Sequence, residues 1–368
     1  MTDSTQAGSY GWVRRRWPVL VFWIAMIAGT TYAFAPRHAP AFPPSGVHVN
    51  DLLVTGLARQ GTRIVAVGEL GRILWTDSAR GPWHEAQVRN PRGLTFTQVR
   101  FVAPDTLVAV GHGALIVRST DGGETWQEVS YEPQLGDALL GVSGPFAGRL
   151  FAYGSFGLLE TSTDGGKTWV GGKVDMASAA AEQPAAPVDP NADPFANYQI
   201  EDDPSTHHIY GVEPLADGSL LLVGERGLLA TSHDAGTTWT TLPPLYAGSF
   251  FGMLNPTPGT TLIYGLGGHV YVTADSGATW TQSTLPQPVS IFGGTVARDG
   301  RVVLVGAQET VLVSRDGGHT FEQAAQSDRG AFDTVLVGSH CLLAGGVYGV
   351  RMEKLAATQG AASTESGS

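Results

Sequence analysis

Short apolar runs recur along the chain between residues 46 and 355, and each run ends at a glycine. Turn-forming residues separate further apolar and β-branched segments, as at 96–102, 106–110, 114–119 and 125–129 of the second unit. Four short strands in each unit of about 40 residues are typical of a propeller blade. The run-ending glycines are Gly68, Gly111, Gly154, Gly224, Gly265, Gly306 and Gly346, at intervals of 43, 43, 70, 41, 41 and 40 residues. We therefore predict an all-β fold, a seven-bladed β-propeller over residues 46–355.

An aspartate motif with the pattern Ser/Thr-x-Asp-x-Gly-x-Thr-Trp/Phe occurs in five of the units. Its carboxylate can accept hydrogen bonds from the backbone N–H groups of the turn, and its glycine supplies the positive φ that the turn needs. The aromatic residue is expected to pack between neighbouring sheets. We interpret the motif as a structural Asp-box and its aspartates as folding devices, not catalytic acids. The residues are Asp121, Asp164, Asp234, Asp275 and Asp316, with Trp126, Trp169, Trp239 and Trp280.

The first and last units depart from the repeat. The first has only a degenerate copy of the motif, Thr76-Asp77 followed by Trp83, and the last has no copy and room for three strands. We expect residues 47–49 to supply the missing fourth strand of the last unit and so to close the ring.

An uncharged segment at residues 17–36 follows three consecutive arginines at 14–16. Its length suits a transmembrane helix across a bilayer core of about 30 Å. Because basic clusters stay in the cytoplasm, residues 1–16 are predicted to be cytoplasmic and the propeller periplasmic. The chain is then a single-pass protein of the cytoplasmic (inner) membrane, with a Pro/Ala stalk at 37–45 and a disordered tail at 356–368. The alternative is a cleaved signal peptide ending at Ala35, which Pro36 in the first mature position disfavours.

Composition and charge exclude several function classes. The formal net charge is −11 and only three lysines are present, which argues against a nucleic-acid-binding protein. Cys341 is the only cysteine, so no intramolecular disulfide can form. We predict no cofactor and no metal. The stretch from Asp189 to Asp193 resembles the start of a calcium loop, but Pro194 stands where that loop requires glycine.

The interval of 70 residues contains an insertion at 171–207, between the third and fourth blades. It is rich in Ala, Pro and acidic residues, and it is either a plain linker or an arm that grips a partner. By position it shares one face with the turns between second and third strands and with the crossings between blades. Aromatic residues and arginines on that face suit a protein interface. The candidate partner-binding residues are Arg89, Arg92, His112, Tyr131, Phe156, Phe195, Tyr198, Arg226, Tyr246, Arg329 and Tyr348.

The Asp-boxes, together with the Val-Gly-x-x-Gly-x-Leu runs, resemble the photosystem II assembly/stability factor-like BNR-repeat propellers across about residues 47–355. In photosynthetic organisms members of that family act as assembly factors for a membrane protein. Bacterial relatives are often linked to transporters of the resistance-nodulation-division (RND) type. The resemblance implies a non-enzymatic propeller that binds an integral membrane protein, an RND-type transporter, and supports its assembly or function.

Asp-boxes also occur in sialidases, so the alternative is an exported sialidase-like glycoside hydrolase or a carbohydrate-binding propeller. Sialidases resemble one another in an Arg-Ile-Pro motif, an arginine triad and a Tyr–Glu nucleophile pair. The nearest match here, Arg63-Ile64-Val65, lacks the proline. A pair of carboxylates at the separation found in glycosidases cannot be placed from the sequence.

Overall fold

The computed structural model of the chain describes residues 11–34, 49–135, 137–174, 176–177, 203–338 and 341–354. The chain divides into two compact units, Met1–Gly46 and Val47–Ser368. The first unit contains the helix α1 (Gly11–Phe34), which includes most of the uncharged segment. No helix within the described residues is both long enough and apolar enough to span a membrane.

The second unit is a seven-bladed β-propeller, which confirms the predicted all-β fold. Four consecutive strands of each of the first six blades pair in antiparallel order from the innermost strand outwards. Blade 1 consists of β1 (Val54–Gln60), β2 (Arg63–Gly68), β3 (Ile73–Thr76) and β4 (His84–Glu85). Blade 2 consists of β5 (Gln87–Val88), β6 (Phe96–Ala103), β7 (Thr106–Gly111), β8 (Leu115–Ser119) and β9 (Thr125–Ser130). Blade 3 consists of β10 (Leu139–Phe146), β11 (Arg149–Gly154), β12 (Leu158–Ser162) and β13 (Val170–Lys173).

The remaining blades follow the same order along the chain. Blade 4 consists of β14 (Met176–Ala177), β15 (Ile209–Pro214), β16 (Leu220–Gly224), β17 (Leu229–Ser232) and β18 (Trp239–Thr241). Blade 5 consists of β19 (Phe250–Thr257), β20 (Thr260–Gly265), β21 (Val270–Thr273) and β22 (Thr281–Gln282). Blade 6 consists of β23 (Ile291–Val296), β24 (Val302–Gly306), β25 (Val311–Ser314) and β26 (Glu322–Ala325). Blade 7 consists of β27 (Phe332–Val337), β28 (Cys341–Gly346) and β29 (Gly349–Lys354).

The second strand of each blade is buried on both faces, because each face packs against a different neighbour. In β7, Leu107 and Ala109 pack with blade 1, whereas Val108 and Val110 pack with blade 3. This double burial explains why the strand-two runs are continuously apolar and do not alternate. Seven apolar clusters result, one between each pair of neighbouring blades, and the seventh joins blade 7 to blade 1.

The seven repeat glycines are required by a close approach of two backbone segments. A Cβ atom on Gly265 would lie 2.0 Å from the carbonyl oxygen of Ser249, the residue just before strand one of the same blade. The other six glycines face the equivalent carbonyl at 1.9–2.3 Å. Gly265 is extended, with φ of −168°, so space and not backbone freedom excludes a side chain there.

The Asp-boxes form the turns between third and fourth strands. In blade 3, Asp164 Oδ1 accepts hydrogen bonds from the backbone N–H groups of Lys167 and Thr168, both at 3.0 Å. Asp164 Oδ2 accepts the Thr168 hydroxyl at 2.7 Å. The other four boxes repeat the two bonds from this threonine. The indole N–H of Trp126 donates to the Gly123 carbonyl at 2.9 Å, and the ring belongs to the cluster between blades 1 and 2.

Three arginines connect neighbouring blades through these turns. Arg63 donates to the Gly122 carbonyl at 3.0 Å, Arg118 to Gly165 at 2.8 Å and Arg149 to Ala235 at 2.8 Å. In each case the acceptor lies in the Asp-box of the next blade. These contacts give a structural role to all three arginines, including Arg63 of the Arg-Ile-Val segment.

Two short strands add to the outer edge of the next blade instead of their own. β5 follows blade 1 in the chain and pairs parallel with β9 of blade 2, and β14 follows blade 3 and pairs parallel with β18 of blade 4. Thr284 makes a single parallel bridge to Thr320 between blades 5 and 6. Backbone hydrogen bonds therefore connect these blades in pairs at the rim, in addition to the apolar clusters.

Blade 7 has three strands among the described residues. We expected residues 47–49 to form its fourth strand. Val49 instead begins a 3-10 turn (Val49–Asp51) whose backbone lies against Gly349 at the start of β29, while residues 47 and 48 fall outside the described part of the chain. Val49, Val54 and Leu343 belong to the apolar cluster that joins blade 7 to blade 1. Side-chain packing therefore closes the described part of the ring.

Candidate partner-binding face

The turn between strands two and three of each blade, here called the inner turn, lies against the segment that leads into strand one. In blade 3 the Ser155 N–H donates to the Ala138 carbonyl at 2.9 Å, and in blade 5 the Leu266 N–H donates to the Ser249 carbonyl at 3.0 Å. Blades 1, 2, 4 and 6 make the equivalent bond. The inner turns and the blade crossings thus form one surface, the inner-turn face. Its inner turns are residues 69–71, 112–114, 155–157, 225–227, 266–268, 307–310 and 347–348.

Exposed apolar side chains are concentrated on the inner-turn face. Eight large hydrophobic residues are exposed in the described part of the propeller, and six of them lie on this face. Leu70 is 65% exposed and Phe156 is 52% exposed. Exposed apolar side chains are unfavourable in water, so their concentration on one face makes that face the candidate for contact with another molecule. The six are Leu70, Leu135, Phe156, Leu266, Val347 and Tyr348.

Five of the inner turns hold a non-glycine residue in the left-handed backbone region, and in three of them this residue is the middle one of a 3-10 turn. Leu70, Phe156 and Arg226 have φ values of 56°, 50° and 53°. Glycine occupies such positions more readily, so a large side chain there carries a conformational cost of order 1 kcal/mol. These three turns therefore expose a side chain at a conformational cost.

Predicted residues Arg92 and Tyr131 come together at blade 2. The Arg92 guanidinium lies 3.6 Å from the centroid of the Tyr131 ring and forms two hydrogen bonds with Glu128, at 2.5 and 2.8 Å. Arg92 thereby lowers the pKa of the Glu128 carboxyl. The Tyr131 ring in turn lies beside Gly113 of the inner turn that carries the exposed His112. This arrangement presents a fixed cation and an aromatic face together.

Aromatic contacts order two further predicted residues. The Phe156 ring meets His208 edge-on, with centroids 4.7 Å apart. Tyr246 stacks on His269 at 4.0 Å, and its hydroxyl donates to the Ser249 carbonyl. Burial raises the pKa of Tyr246 to about 12, so it stays protonated as a donor.

Arg329 and Tyr348 lie at the junction of blades 6 and 7. Glu309, which is 4% exposed, accepts two hydrogen bonds from Arg351 of β29 at 2.9 and 3.0 Å. Arg329 lies 3.7 Å from the same carboxylate. The Tyr348 ring is half-exposed and lies near Gly330 of the crossing. This junction is therefore fixed by charge as well as by apolar packing.

The remaining predicted residues do not join these groups. Arg89 follows β5, donates its backbone N–H to the Trp126 carbonyl and shares a pocket of the outer strands with Arg118 and Lys167. Arg226 lies at the tip of the inner turn of blade 4. Phe195 and Tyr198 lie outside the described residues.

A ring of side chains at the mouth of the central channel was missed by the sequence analysis. In every blade the second residue of strand one is the unpaired residue of a β-bulge. A β-bulge changes the direction in which its side chain points. Here the seven bulge residues all line one cavity of about 600 Å³. Counting back 13 or 14 residues from each repeat glycine would have found them. They are Thr55, Thr97, Leu140, Tyr210, Phe251, Phe292 and Asp333.

Charged groups in this channel are sparse and partly desolvated. Deeper than the mouth, Arg100 of blade 2 and Glu213 of blade 4 approach each other to 3.4 Å. Burial raises the pKa of Glu213, and the nearby Arg100 opposes this effect. Burial also raises the pKa of Asp333 to about 6. The channel is lined by both polar and apolar side chains, and one of its carboxylates, Glu213, has a cationic partner.

Among the described residues, no group of three or more His, Cys, Asp or Glu side chains could hold a metal ion. His207 is buried, and His208 Nδ1 lies 3.2 Å from Glu225. The acidic stretch resembling a calcium loop falls outside the described residues.

Known proteins share both the motif and the fold of this chain. The BNR/Asp-box repeat family model matches residues 117–128. The chain carries a BNR/Asp-box repeat. A search of the curated proteins finds no match. The structure of YCF48 bound to a D1 peptide is similar, with 17% identity, a TM-score of 0.62 and coverage of 84% of this chain and 95% of that one. YCF48 from Cyanidioschyzon merolae gives 17% identity, a TM-score of 0.59 and coverage of 84% and 97%.

A propeller enzyme is equally similar in fold. Virginiamycin B lyase from Staphylococcus aureus matches with 10% identity, a TM-score of 0.63 and coverage of 84% of this chain and 96% of that one. At such identities the likeness establishes the propeller alone, because one fold can host unrelated activities.

Proposed function

We propose that the protein is a non-enzymatic propeller that binds an integral membrane protein through its inner-turn face and supports the assembly or function of that client. The observation that carries the proposal is the concentration of exposed apolar side chains on this face. The similar fold of YCF48, which binds a D1 peptide, supports a protein-binding role. The family resemblance of the repeats favours an RND-type transporter as the client.

The chemistry of the inner-turn face suits a protein partner. Interfaces derive most of their binding energy from a few aromatic residues and arginines in well-packed surroundings. Phe156, Tyr348 and the Arg92–Tyr131 pair provide such groups, and neighbouring contacts already restrict the Arg92 side chain. Less side-chain entropy is then lost on binding.

Residues 17–36 are proposed to hold the propeller at the periplasmic side of the cytoplasmic membrane. The support is the uncharged sequence and the three arginines before it. Protease treatment of intact spheroplasts should digest the propeller, and labelling of the N-terminus on the purified protein should find it intact. A propeller protected in spheroplasts, or a new N-terminus at Pro36, would contradict the anchored topology.

The docking proposal is tested by affinity purification of the full chain from detergent-solubilised membranes, with and without a cross-linker. We expect one integral membrane protein to co-purify in stoichiometric amount. A triple variant, Leu70→Glu, Phe156→Glu and Tyr348→Glu, should lose it. Val170→Glu is the matched control, because Val170 is 75% exposed but lies in β13, away from the inner-turn face.

Two results would overturn the docking proposal. One is the absence of any stoichiometric membrane protein from the wild-type purification. The other is equal recovery of the client by the triple variant and the Val170→Glu control. The non-enzymatic part of the proposal is tested separately with fluorogenic sialosides and other glycosides, and turnover above background would reject it.

A further inference from the structure

We propose that the mouth of the central channel binds an organic cation, an ammonium or guanidinium group carried on a short stem. The site consists of three aromatic rings on consecutive blades and one carboxylate on the next blade. The inference is independent of the docking proposal, because the residues involved line the channel and are not those at the tips of the inner turns.

The aromatic part of the site is an arc formed by Tyr210, Phe251 and Phe292 of blades 4, 5 and 6. Ring centroids are 5.3 Å apart between Tyr210 and Phe251, with the planes at 77°. They are 5.5 Å apart between Phe251 and Phe292, with the planes at 55°. Rings inclined to one another and half-buried around a cavity can surround a cation with their π-faces and exclude water from it.

The carboxylate of Asp333 completes the arc at the same position of blade 7. Within the described part of the chain, no hydrogen bond or ion pair is found for this carboxylate. Removing a charged group from water without compensation is unfavourable. A cation bound at the mouth would supply the missing partner.

The other side chains around the mouth have partners of their own or are apolar, and they do not pair with the Asp333 carboxylate. The hydroxyls of Thr55 and Thr97 donate to the backbone carbonyls of Phe96 and Leu139, at 2.6 and 2.7 Å. Leu140, the remaining member of the ring, is apolar. Arg100 is engaged with Glu213, and Arg59 donates to the Gly61 carbonyl at 3.0 Å.

The ligand chemistry follows from these contacts. An anion would be repelled by Asp333, and a neutral apolar molecule would desolvate the carboxylate further without pairing with it. The cavity of about 600 Å³ lies within the range of small-molecule sites. An ammonium or guanidinium group fits both halves of the site. It can come from a free amine or from a lysine or arginine side chain of a bound protein.

Binding should depend on pH in a defined direction. Burial raises the pKa of Asp333 to about 6, and the cation requires its ionised form. Affinity should therefore rise between about pH 5 and pH 7 and level off above. The other titratable groups that line the cavity are Arg59, Arg100, Tyr153, Tyr210, Glu213 and Tyr264. Burial raises the pKa values of the three tyrosines, so they stay protonated in this window.

The test is isothermal titration calorimetry with the full chain purified in detergent. The probes are choline against its neutral isostere 3,3-dimethylbutan-1-ol, and the peptide acetyl-Gly-Gly-Arg-Gly-Gly-amide against the same peptide with citrulline. Where a charged probe binds, we expect its Kd to be at least about 10-fold lower than that of its neutral counterpart. Binding of the arginine peptide alone would identify a protein side chain as the source, and binding of choline would show that a free cation suffices.

Variants locate the site on the protein. Asp333→Asn and Phe251→Leu should each weaken binding of the charged probe about 10-fold. Asp299→Asn, which alters an exposed carboxylate paired with Arg301, should leave binding unchanged. Phe292→Leu is a second test of the aromatic arc if Phe251→Leu folds poorly. The proposal is wrong if neither charged probe binds, if the neutral isosteres bind equally well, or if Asp333→Asn has no effect.

Discussion

Each Asp-box carboxylate stabilises a turn by accepting hydrogen bonds from groups only two to four residues away. Asp275 Oδ2 accepts the Thr279 hydroxyl at 2.6 Å, and Oδ1 accepts the Thr279 N–H at 2.8 Å. These bonds, together with that from the Thr273 hydroxyl, lower the pKa of Asp275 to about 2. A carboxylate already saturated with donors is a poor acid or nucleophile, which agrees with the structural interpretation of the motif.

Asp275→Asn should therefore destabilise the protein in a pH-dependent way. The folded-state pKa is depressed, so the stabilisation is present above the unfolded pKa of about 3.9 and is lost as the pH falls towards about 2. We expect a lower Tm than the wild type at pH 7 and a difference that shrinks below pH 4. Thermal unfolding followed by circular dichroism at both pH values measures it. A difference that is the same at pH 7 and pH 3 would contradict the assigned role.

Glu160 of β12 shows the opposite behaviour. Its side chain is buried, with 6% exposed, and burial together with the nearby Glu132 raises its pKa to about 7. The pKa is raised above the unfolded value, so the stability is full below about pH 4.5 and is lost as the pH rises through about 7. Glu160→Gln should then be more stable than the wild type by about 2 kcal/mol at pH 9 and nearly equal to it at pH 4.

Chemical denaturation at the two pH values tests the Glu160 prediction. Glu322→Gln is the control, because Glu322 is an exposed carboxylate of β26. Equal shifts for both variants, or no gain for Glu160→Gln at pH 9, would show that the buried carboxylate does not limit stability at high pH.

At the level of the strands, the repeat glycines fix how each blade starts. A methyl group on Gly265 would overlap the Ser249 carbonyl at 2.0 Å, so the segment entering β19 would have to move. Overpacking of this kind costs about 1–3 kcal/mol. We expect Gly265→Ala to lower the free energy of unfolding by at least about 2 kcal/mol, as measured by urea denaturation.

A matched control for Gly265→Ala is available in β13. A Cβ atom on Gly172 would meet nothing within 4 Å, and Gly172 is not in the left-handed region. Gly172→Ala should therefore be nearly neutral. If the two variants lost stability equally, the loss would reflect strand propensity and not the contact with Ser249.

The elements that the sequence predicted are those determined by local residues. The Asp-box needs only a turn of eight residues, and the strand-two glycine is visible because the same contact recurs in every blade. The mouth ring was missed because its seven positions share a place in the blade but no residue type, ranging from Thr55 to Phe292. Strands β5 and β14 were missed because two residues that pair with another blade leave no periodic pattern.

At the scale of the whole molecule, the ring closes where blade 7 meets blade 1. Blades 7 and 1 share an apolar cluster of the same kind as the other six junctions. Leu343 of β28 and Leu262 of β20 occupy the same position, three residues before the repeat glycine, and both point to the following blade. They therefore allow the closing junction to be compared with an internal one.

If packing closes the ring, Leu343→Ala and Leu262→Ala should have similar effects. Both side chains are buried, and truncation of a buried leucine costs about 2–5 kcal/mol through lost burial and the cavity that remains. We expect both variants to unfold in one transition in urea with an unchanged m-value, since a closed ring unfolds as a unit. A much smaller loss for Leu343→Ala would mean that blade 7 separates from blade 1 before the rest unfolds. In that case the apolar cluster would not be what closes the propeller.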